Sequence, residues 1–267
     1  MKSRLGLDGE AALVVGGGYG SGRVTAHLLA EAGARVAVAD VNPDRAQAVA
    51  REIGGHAVVG DVTTAEGAKA IVDEAHDLLG GLTRLANIVG GVTMAPFDST
   101  DLAFWQQQMT LNLFQQMHIC QAAGPYMAAA GRGAIALVSS VTGIYGARNQ
   151  VAYGAAKAGL ISFVKTLADE WGPRGIRVNT VAPDYTATRR LLDRGESEES
   201  VFAHLDEGAV REGVPLRRGG REHEIAGPLL FLMSDLSSFM TGQCLVVDGG
   251  MIVHFPHPAV DAVTQAA

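Results

Sequence analysis

Three residues in the middle of the chain, Ser140, Tyr153 and Lys157, carry groups that can move a proton. Tyr153 and Lys157 are four residues apart, which on a helix places the phenol and the ammonium on one face. A free phenol has a pKa of about 10, but a nearby positive charge stabilises the phenolate and lowers that pKa. The spacing therefore predicts an acid/base tyrosine. The alternative is an exposed surface pair, since a Tyr-x-x-x-Lys match alone often has no function.

A glycine-rich segment, residues 16–22, follows the first predicted strand and leads directly into a helix. Its glycines allow a tight turn and let the backbone amides of the helix N-terminus approach a pyrophosphate. The spacing of Gly16, Gly20 and Gly22 departs from the strict G-x-G-x-x-G pattern. The segment predicts a dinucleotide-binding turn, and the alternative is a glycine-rich turn without a ligand.

Asp40 ends the second predicted strand, 18 residues after Gly22. A carboxylate at this place can accept hydrogen bonds from the ribose hydroxyls of an adenosine, and it would repel a 2′-phosphate. No basic residue immediately follows it, so NAD is predicted in preference to NADP. The alternative for Asp40 is a helix N-terminal cap.

Short apolar strands alternate with longer amphipathic segments along the chain. This alternation is typical of a parallel sheet covered by helices on both faces, a doubly wound Rossmann-like α/β fold with seven strands. The predicted strands are 11–15, 35–39, 56–60, 84–89, 133–138, 176–181 and 244–247. The predicted helices are 22–31, 43–53, 65–79, 102–127, 152–171 and 222–233.

All 267 residues are predicted to form one domain, because no segment resembles a long linker. In such sheets ligands bind beyond the carboxyl ends of the strands, where the motifs above lie. Residues 189–215 interrupt the alternation and are predicted to be a substrate lid, with a surface excursion as the alternative. Residues 251–267 are predicted to be a C-terminal tail that packs on a neighbouring subunit or is partly disordered.

The composition excludes several other classes of protein. The net charge of −7 comes without a long Lys/Arg run, so nucleic acid and anionic membranes are not expected partners. Apolar runs are far shorter than the roughly 18 residues of a membrane helix. Cys120 and Cys244 are expected to be buried free thiols, the histidines form no metal-ligand cluster, and a cytoplasmic location is expected.

In this order the motifs resemble those of the short-chain dehydrogenase/reductase family, over nearly the whole chain. The resemblance implies a catalytic set of Asn112, Ser140, Tyr153 and Lys157. Ser140 would hydrogen-bond the substrate oxygen, Tyr153 would exchange its proton, and Lys157 would hold the nicotinamide ribose. Asn112 would order a water in a proton relay. The implied activity is NAD(H)-dependent interconversion of a secondary alcohol and a ketone, in a homotetramer.

The same resemblance implies further binding residues. They follow strands or lie in or beside the catalytic set. Those for the cofactor are Gly16, Gly18, Tyr19, Gly20, Ser21, Gly22, Asp40, Val41, Asp61, Val62, Asn87, Gly90, Tyr153, Lys157, Pro183, Thr186 and Thr188. Those for the substrate are Val92, Met94, Ile144, Tyr145, Tyr185, Leu191 and Leu192. Because the second set is largely apolar, an apolar alcohol, a steroid-like or an acyl-chain substrate is favoured over a small acid.

Two positions depart from the family pattern. Asp184 follows Pro183 where the family usually has glycine, and Ile88-Val89 precedes Gly90 where a small residue is more common. A carboxylate near the nicotinamide would favour its oxidised, positively charged form. We therefore hypothesise that Asp184 biases the enzyme toward alcohol oxidation, which the ratio of NAD+ to NADH affinities would test.

Two other functions remain as alternatives. One is reduction of a 3-oxoacyl thioester on acyl carrier protein, against which Asp40 argues because that role usually goes with NADPH. The other is a non-catalytic dinucleotide-binding protein, which the four filled catalytic positions disfavour.

Overall fold

The computed structural model describes residues 2–184, 186 and 213–253, and within these ranges it contains a seven-stranded sheet. The strand order is β3-β2-β1-β4-β5-β6-β7, and every neighbouring pair is parallel. The predicted parallel sheet is confirmed. The strands are β1 Ala11–Val15, β2 Arg35–Asp40, β3 His56–Val59, β4 Arg84–Asn87, β5 Gly133–Val138, β6 Ile176–Pro183 and β7 Cys244–Val247.

Helices cover both faces of this sheet, as the sequence predicts. The α-helices are α1 Lys2–Leu5, α2 Gly20–Glu31, α3 Pro43–Ile53, α4 Ala65–Leu79, α5 Leu102–Met109, α6 Gln115–Ala129, α7 Val151–Trp171 and α8 Glu222–Met233. One hydrophobic core lies between the sheet and α4, α6 and α7. A second core lies between the opposite face and α2, α3 and α8.

The central strands β1 and β5 are buried at every residue, because helices pack on both of their faces. Several helices begin at side-chain caps: Asn42 accepts from the Arg45 amide at α3, and Thr64 accepts from the Gly67 amide at α4. Both helices end at a glycine with positive φ, Gly54 and Gly80. Local sequence signals thus determine where these elements begin and end.

The prediction of one continuous helix over 102–127 is wrong. A π-helical turn, Thr110–Phe114, separates α5 from α6, and α6 continues to Ala129 despite Pro125. The side chain of Asn112 donates to the carbonyl oxygen of Gln108, four residues earlier (3.0 Å). In a regular α-helix, the backbone amide of Asn112 would donate to this same carbonyl oxygen. The side-chain bond competes with that backbone bond, which is a physical reason for the wider turn.

Other differences are small. The strands β3 and β4 end one and two residues earlier than predicted, β6 extends to Pro183, and α2 begins at Gly20. Cys120 is buried, but Cys244 is only half-buried because it begins the edge strand β7. The expectation of two buried thiols is therefore correct for Cys120 alone.

The predicted lid, residues 189–215, lies outside the described residues except for 213–215, and the predicted tail is described only over 251–253. Residues 251–253 form a short 3-10 helix. In the part of the chain that the structure describes, no helix is long and apolar enough to cross a membrane.

Candidate active site

The predicted functional residues meet at the carboxyl edge of the sheet because the strands are parallel and in register. Val15 pairs with Ala39 on one side and with Asn87 on the other. Val138 pairs with Val181, so the segments after β5 and β6 lie side by side. The glycine-rich turn, the segment after β4, Ser140 and Asp184 therefore line one edge.

Ser140 and Tyr153 are 13 residues apart in sequence, yet the Ser140 side chain is near enough to the phenol to lower its pKa. Ser140 caps a short 3-10 helix, Val141–Gly143, and its Oγ accepts from the Thr142 amide (3.2 Å) and the Thr142 hydroxyl (3.0 Å). This turn reverses the chain toward α7, whose first turn carries Tyr153. The structure thus brings the two predicted groups together.

The pKa of Tyr153 is raised above its usual value. Burial is the main cause, the charge of Asp184 raises the pKa further, and the hydrogen bond with Ser140 lowers it. This direction is opposite to the one expected from the sequence. Burial disfavours the charged phenolate, and in this structure that effect is larger than the stabilisation from its neighbours.

Lys157 is 2% exposed, and its Nζ donates to the carbonyl oxygen of Val138 (2.8 Å). The Nζ lies 5.6 Å from the centre of the Tyr153 ring, which confirms that the two side chains share one helix face. Burial lowers the pKa of the lysine to about 7. The expected lowering of the tyrosine pKa is not found, because burial of the phenol raises it.

Asn112 lies beside this pair and holds the segment after β4. Its Nδ2 donates to the Gly91 carbonyl oxygen (2.9 Å), and its Oδ1 accepts from the Gly91 amide (3.0 Å). A Cβ at Gly90 would lie 3.0 Å from the Asn112 Oδ1 and 3.1 Å from the Lys157 Nζ. Glycine at position 90 therefore allows this segment to lie against both side chains.

Buried glutamines of α5 and α6 complete the support of this segment, and the sequence reasoning did not include them. Gln108 donates to the Thr93 hydroxyl (3.1 Å), and Gln115 donates to the Val89 carbonyl oxygen (2.9 Å). Asn87 donates to the Gln115 Oε1 (2.8 Å) and accepts from the Val89 amide (3.1 Å). The sequence feature that could have identified these residues is the presence of polar glutamines on the apolar face of a predicted helix. The contact of Asn87 with a cofactor stays a prediction.

The glycine-rich turn has the shape that a pyrophosphate requires. Gly16 and Gly20 have positive φ values of +75° and +55°, and a side chain at Gly22 would overlap the Gly16 carbonyl oxygen. Tyr19 precedes α2 without capping it through its side chain, and Ser21 lies in the buried first turn. The amino end of α2 thus fits an anionic group of a dinucleotide.

Asp40 lies beside this turn, and both of its carboxylate oxygens accept backbone hydrogen bonds. Oδ2 accepts from the Gly18 amide (3.1 Å), and Oδ1 accepts from the Asn42 amide (2.9 Å). Asn42 is the residue that caps α3. The capping alternative for Asp40 is therefore wrong, and its carboxylate faces the glycine-rich turn.

The remaining cofactor candidates lie around the same edge. Val41 is 69% exposed, Val62 is buried, and Asp61 accepts from the Thr63 amide (2.8 Å). Pro183 ends β6, and Thr186, which forms a bridge with Gly220, donates to the Asp184 carbonyl oxygen (3.0 Å). Thr188 lies outside the described residues.

The predicted substrate residues Val92, Met94 and Ile144 are about half exposed at this edge. Tyr145 donates to the Met251 sulfur (3.8 Å), so the start of the predicted tail contacts a predicted substrate residue. Sequence reasoning missed Met251 because no spacing connects it to Tyr145. Tyr185, Leu191 and Leu192 lie outside the described residues.

Among the described side chains, no group of three or more His, Cys, Asp and Glu residues could hold a metal ion. Polar groups at this edge include those of Ser140, Tyr153, Lys157, Asn112 and Asp184.

Comparison with known proteins finds one matching family model and relatives that are dehydrogenases and reductases. The family model described as enoyl-(acyl carrier protein) reductase matches residues 17–252. D-threitol dehydrogenase of Mycolicibacterium smegmatis is 34% identical over 252 residues, covering 92% of this chain and 94% of the relative. The 3-oxoacyl-[acyl-carrier-protein] reductase FabG of Aquifex aeolicus is 34% identical over 251 residues, covering 92% and 98%.

A solved structure of 7α-hydroxysteroid dehydrogenase, complexed with NADH and 7-oxo glycochenodeoxycholic acid, superimposes with a TM-score of 0.83. It is 32% identical to this chain, and the match covers 94% of this chain and 97% of that one. A 7α-hydroxysteroid dehydrogenase of Escherichia coli K12 is also 35% identical over 251 residues, covering 92% and 95%.

Proposed function

Because the chain belongs to the short-chain dehydrogenase/reductase family and is an oxidoreductase acting on CH–OH groups, we propose that it interconverts a secondary alcohol and a ketone with NAD(H). The family binds a nicotinamide dinucleotide. The observation that carries the proposal is the grouping of Ser140, Tyr153 and the buried Lys157, whose Nζ lies 5.6 Å from the centre of the Tyr153 ring.

In this mechanism the residues of the chain handle the proton. Ser140 hydrogen-bonds the substrate oxygen, and Tyr153 takes the hydroxyl proton of the alcohol during oxidation or returns it during reduction. The bound nicotinamide supplies the hydride acceptor or donor at C4. Lys157 would hold the nicotinamide ribose, and Asn112 keeps Gly90 and Gly91 against the lysine.

The glycine-rich turn and the amino end of α2 would hold the pyrophosphate, and Asp40 would accept from the adenosine ribose. The preference for NAD is supported by the Asp40 carboxylate, which two backbone amides hold in place. A fixed negative charge at this position repels the 2′-phosphate of NADP.

The substrate that fits best is an uncharged, largely apolar secondary alcohol. Val92, Met94 and Ile144 leave apolar side chains about half exposed at this edge, and the Asp184 charge raises the pKa of Tyr153 from the same edge. A negative charge close to the reacting oxygen disfavours an anionic substrate group.

A second candidate is reduction of 3-oxoacyl thioesters, which the similarity to FabG of Aquifex aeolicus supports. Asp40 argues against it, since that reaction usually goes with NADPH. A screen of secondary alcohols with NAD+ and NADP+ in parallel, and of a 3-oxoacyl thioester with NADH and NADPH, separates the two. Faster turnover of the thioester with NADPH than of every alcohol with NAD+ would replace the first candidate by the second.

We expect the Tyr153→Phe variant to lose about 10²- to 10⁴-fold in turnover, because it lacks the proton that the mechanism moves. NADH binding, measured by fluorescence titration, should remain. Tyr126→Phe is the matched control, since the Tyr126 hydroxyl bonds Asp73 on the outer helices and should leave turnover unchanged. Full activity of Tyr153→Phe would show that the assignment is wrong.

The homotetramer that the family resemblance implies is part of this proposal. Light scattering after size-exclusion chromatography should give a mass four times that of the chain, and a monomer mass would contradict it.

A further inference from the structure

Side-chain amides of the neighbouring helices hold every second residue of the segment after β4. Gln115 and Gln116 both donate to the Val89 carbonyl oxygen, at 2.9 and 3.2 Å. Asn112 binds Gly91 at both backbone groups, since it accepts from the amide (3.0 Å) and donates to the carbonyl oxygen (2.9 Å). Bonding of alternate residues is the pattern of a strand beside its neighbour. Side chains here take the place of a neighbouring strand.

Gln108 extends this pattern to Thr93. Its Oε1 accepts from the Thr93 amide (3.4 Å), and its Nε2 donates to the Thr93 hydroxyl (3.1 Å). Two residues further along, the Ala95 amide donates to the carbonyl oxygen of Asn149, just before α7 (2.9 Å). Every second residue from Val89 to Ala95 is thus held by a helix or by the turn that leads into α7.

The two ends of this segment are not held equally. At the first end, the Val89 amide also donates to Asn87 (3.1 Å), which in turn donates to Gln115 (2.8 Å). Several side chains therefore share that end. At the other end, Gln108 is the one described residue that binds Thr93, and its amide is buried. Removal of the Gln108 amide should loosen the Thr93 end and leave the Val89 end in place.

The Thr93 end carries the apolar residues of the candidate substrate site. Val92 and Met94 flank Thr93 and are about half exposed. Gly90, a candidate cofactor residue, lies at the other end, where a Cβ would be 3.1 Å from the Lys157 Nζ. The position of the substrate residues should therefore depend on Gln108, whereas that of the cofactor residue should not.

We propose that Gln108 is a positioning residue that determines the preference for a long apolar chain on the alcohol. Its two bonds with Thr93 fix Val92 and Met94 where they can contact the part of the substrate beyond the reacting carbon. Gln108 is buried behind the segment, so it acts through the backbone that it holds. The inference rests on the proposed function for the class of substrate.

The test compares octan-2-ol with propan-2-ol, which share the reacting group and differ in the length of the apolar chain. The Gln108→Met variant keeps the length of the side chain but lacks its amide. We expect kcat/KM for octan-2-ol to fall about tenfold relative to that for propan-2-ol, because the apolar contacts are no longer fixed. The Kd of NADH, from fluorescence titration, should stay within about twofold. Gln121→Met is the matched control, since Gln121 is exposed on α6, and it should keep both values.

Thr93→Val examines the same bond from its other partner, and it replaces Gln108→Met if that variant does not fold. It removes the hydroxyl to which Gln108 donates, on an exposed residue, so the ratio of the two alcohols should change in the same direction. The double variant should show no larger change than Gln108→Met alone, because both substitutions remove one interaction. Hydrogen exchange of residues 88–95 in the chain without ligands, measured by mass spectrometry, should be faster in Gln108→Met than in Gln121→Met.

An unchanged ratio of the two alcohols in Gln108→Met would overturn the proposal. Additive effects in the double variant, or an equal weakening of NADH binding, would also overturn it, because the change would then not act through Thr93 at the substrate end. If the unaltered chain oxidises neither alcohol, the proposed substrate class is contradicted instead. Hydrogen exchange then decides whether Gln108 holds the segment, and an unchanged rate would overturn that role, so the two failures are distinguishable.

Discussion

Burial moves the pKa values of Tyr153 and Lys157 in opposite directions, because the charged form is the anion in one and the cation in the other. The pKa of the tyrosine rises above its usual value, and that of the lysine falls to about 7. Both shifts favour the neutral groups. At the scale of single residues, the surroundings therefore set both pKa values. Ser140 and Asp184 act directly on the pKa of the phenol.

Asp184 affects how the activity should depend on pH. Its negative charge disfavours the phenolate and raises the pKa of Tyr153, so the variant Asp184→Asn should lower that pKa. Alcohol oxidation needs the phenolate, and its kcat/KM rises with pH through this pKa. We expect the rise to move to lower pH in Asp184→Asn.

The exposed Asp98, in the short helix Phe97–Ser99, supplies the control, and Asp98→Asn should leave the pH profile in place. A profile of Asp184→Asn identical to that of the unaltered enzyme would exclude an electrostatic role. The ratio of NAD+ to NADH affinities in the same variant tests whether Asp184 also favours the oxidised ring, and an unchanged ratio would remove that hypothesis.

At the scale of elements, the position of α7 relative to β5 determines whether the serine and the tyrosine meet. Ser139 donates from its side chain to the Lys157 carbonyl oxygen (2.9 Å), which joins the residue after β5 to the second turn of α7. A Cβ at Gly143 would lie 2.7 Å from the Lys157 carbonyl carbon and 2.8 Å from the Ala158 nitrogen. Glycine at position 143 thus permits the short helix after Ser140 to touch the α7 backbone.

We expect Gly143→Ala to push the Ser140 turn away from α7, since backbone atoms cannot yield as a flexible side chain can. A displacement of about 1 Å should reduce kcat/KM about 100-fold, and overpacking should reduce the free energy of unfolding by about 1–3 kcal/mol. Steady-state kinetics and urea denaturation measure the two effects.

Gly146→Ala is the matched control in the same segment, because a Cβ there meets no atom within 4 Å. It should keep kcat/KM and stability close to those of the unaltered enzyme. Equal kinetics of the two alanine variants would show that the close approach of Gly143 to α7 does not position the site.

At the scale of the whole molecule, the two ends of the parallel strands carry different kinds of residues. The carboxyl edge carries the candidate site, whereas the amino edge holds an ionic network around the buried Glu10. Glu10, 7% exposed, pairs with Arg84 (3.2 Å) and Arg132 (2.7 Å) and accepts from the Thr83 hydroxyl. These contacts join β1 to β4 and to the segment before β5, so they stabilise the sheet far from the chemistry.

Glu10→Ala should therefore reduce stability without changing catalysis. It leaves the buried Arg84 without its nearest carboxylate, which costs about 3–5 kcal/mol of unfolding free energy in buried pairs. Urea denaturation measures the loss, and kcat and KM of the folded variant should be unchanged. Glu74→Ala, an exposed acid on α4, should change stability by no more than about 0.5 kcal/mol. An equal effect of the two substitutions would contradict the network.

The amino-acid sequence by itself determined the features that depend on local spacing. The strands Ala11–Val15 and Gly133–Val138 and the helices Pro43–Ile53 and Ala65–Leu79 lie where apolar periodicity and caps predict them. The shared face of Tyr153 and Lys157 is also local, since a separation of four residues on a helix requires it.

Only the tertiary structure decided the features that depend on burial or on contacts between distant segments. The raised pKa of Tyr153, the π-helical turn at Asn112, the position of Arg45 over Tyr19 and the contact of Tyr145 with Met251 are of this kind. Periodicity reports which face of an element is apolar, but not which atoms of another element meet it. Those contacts, and the desolvation that accompanies them, exist only when the sheet and its helices are packed.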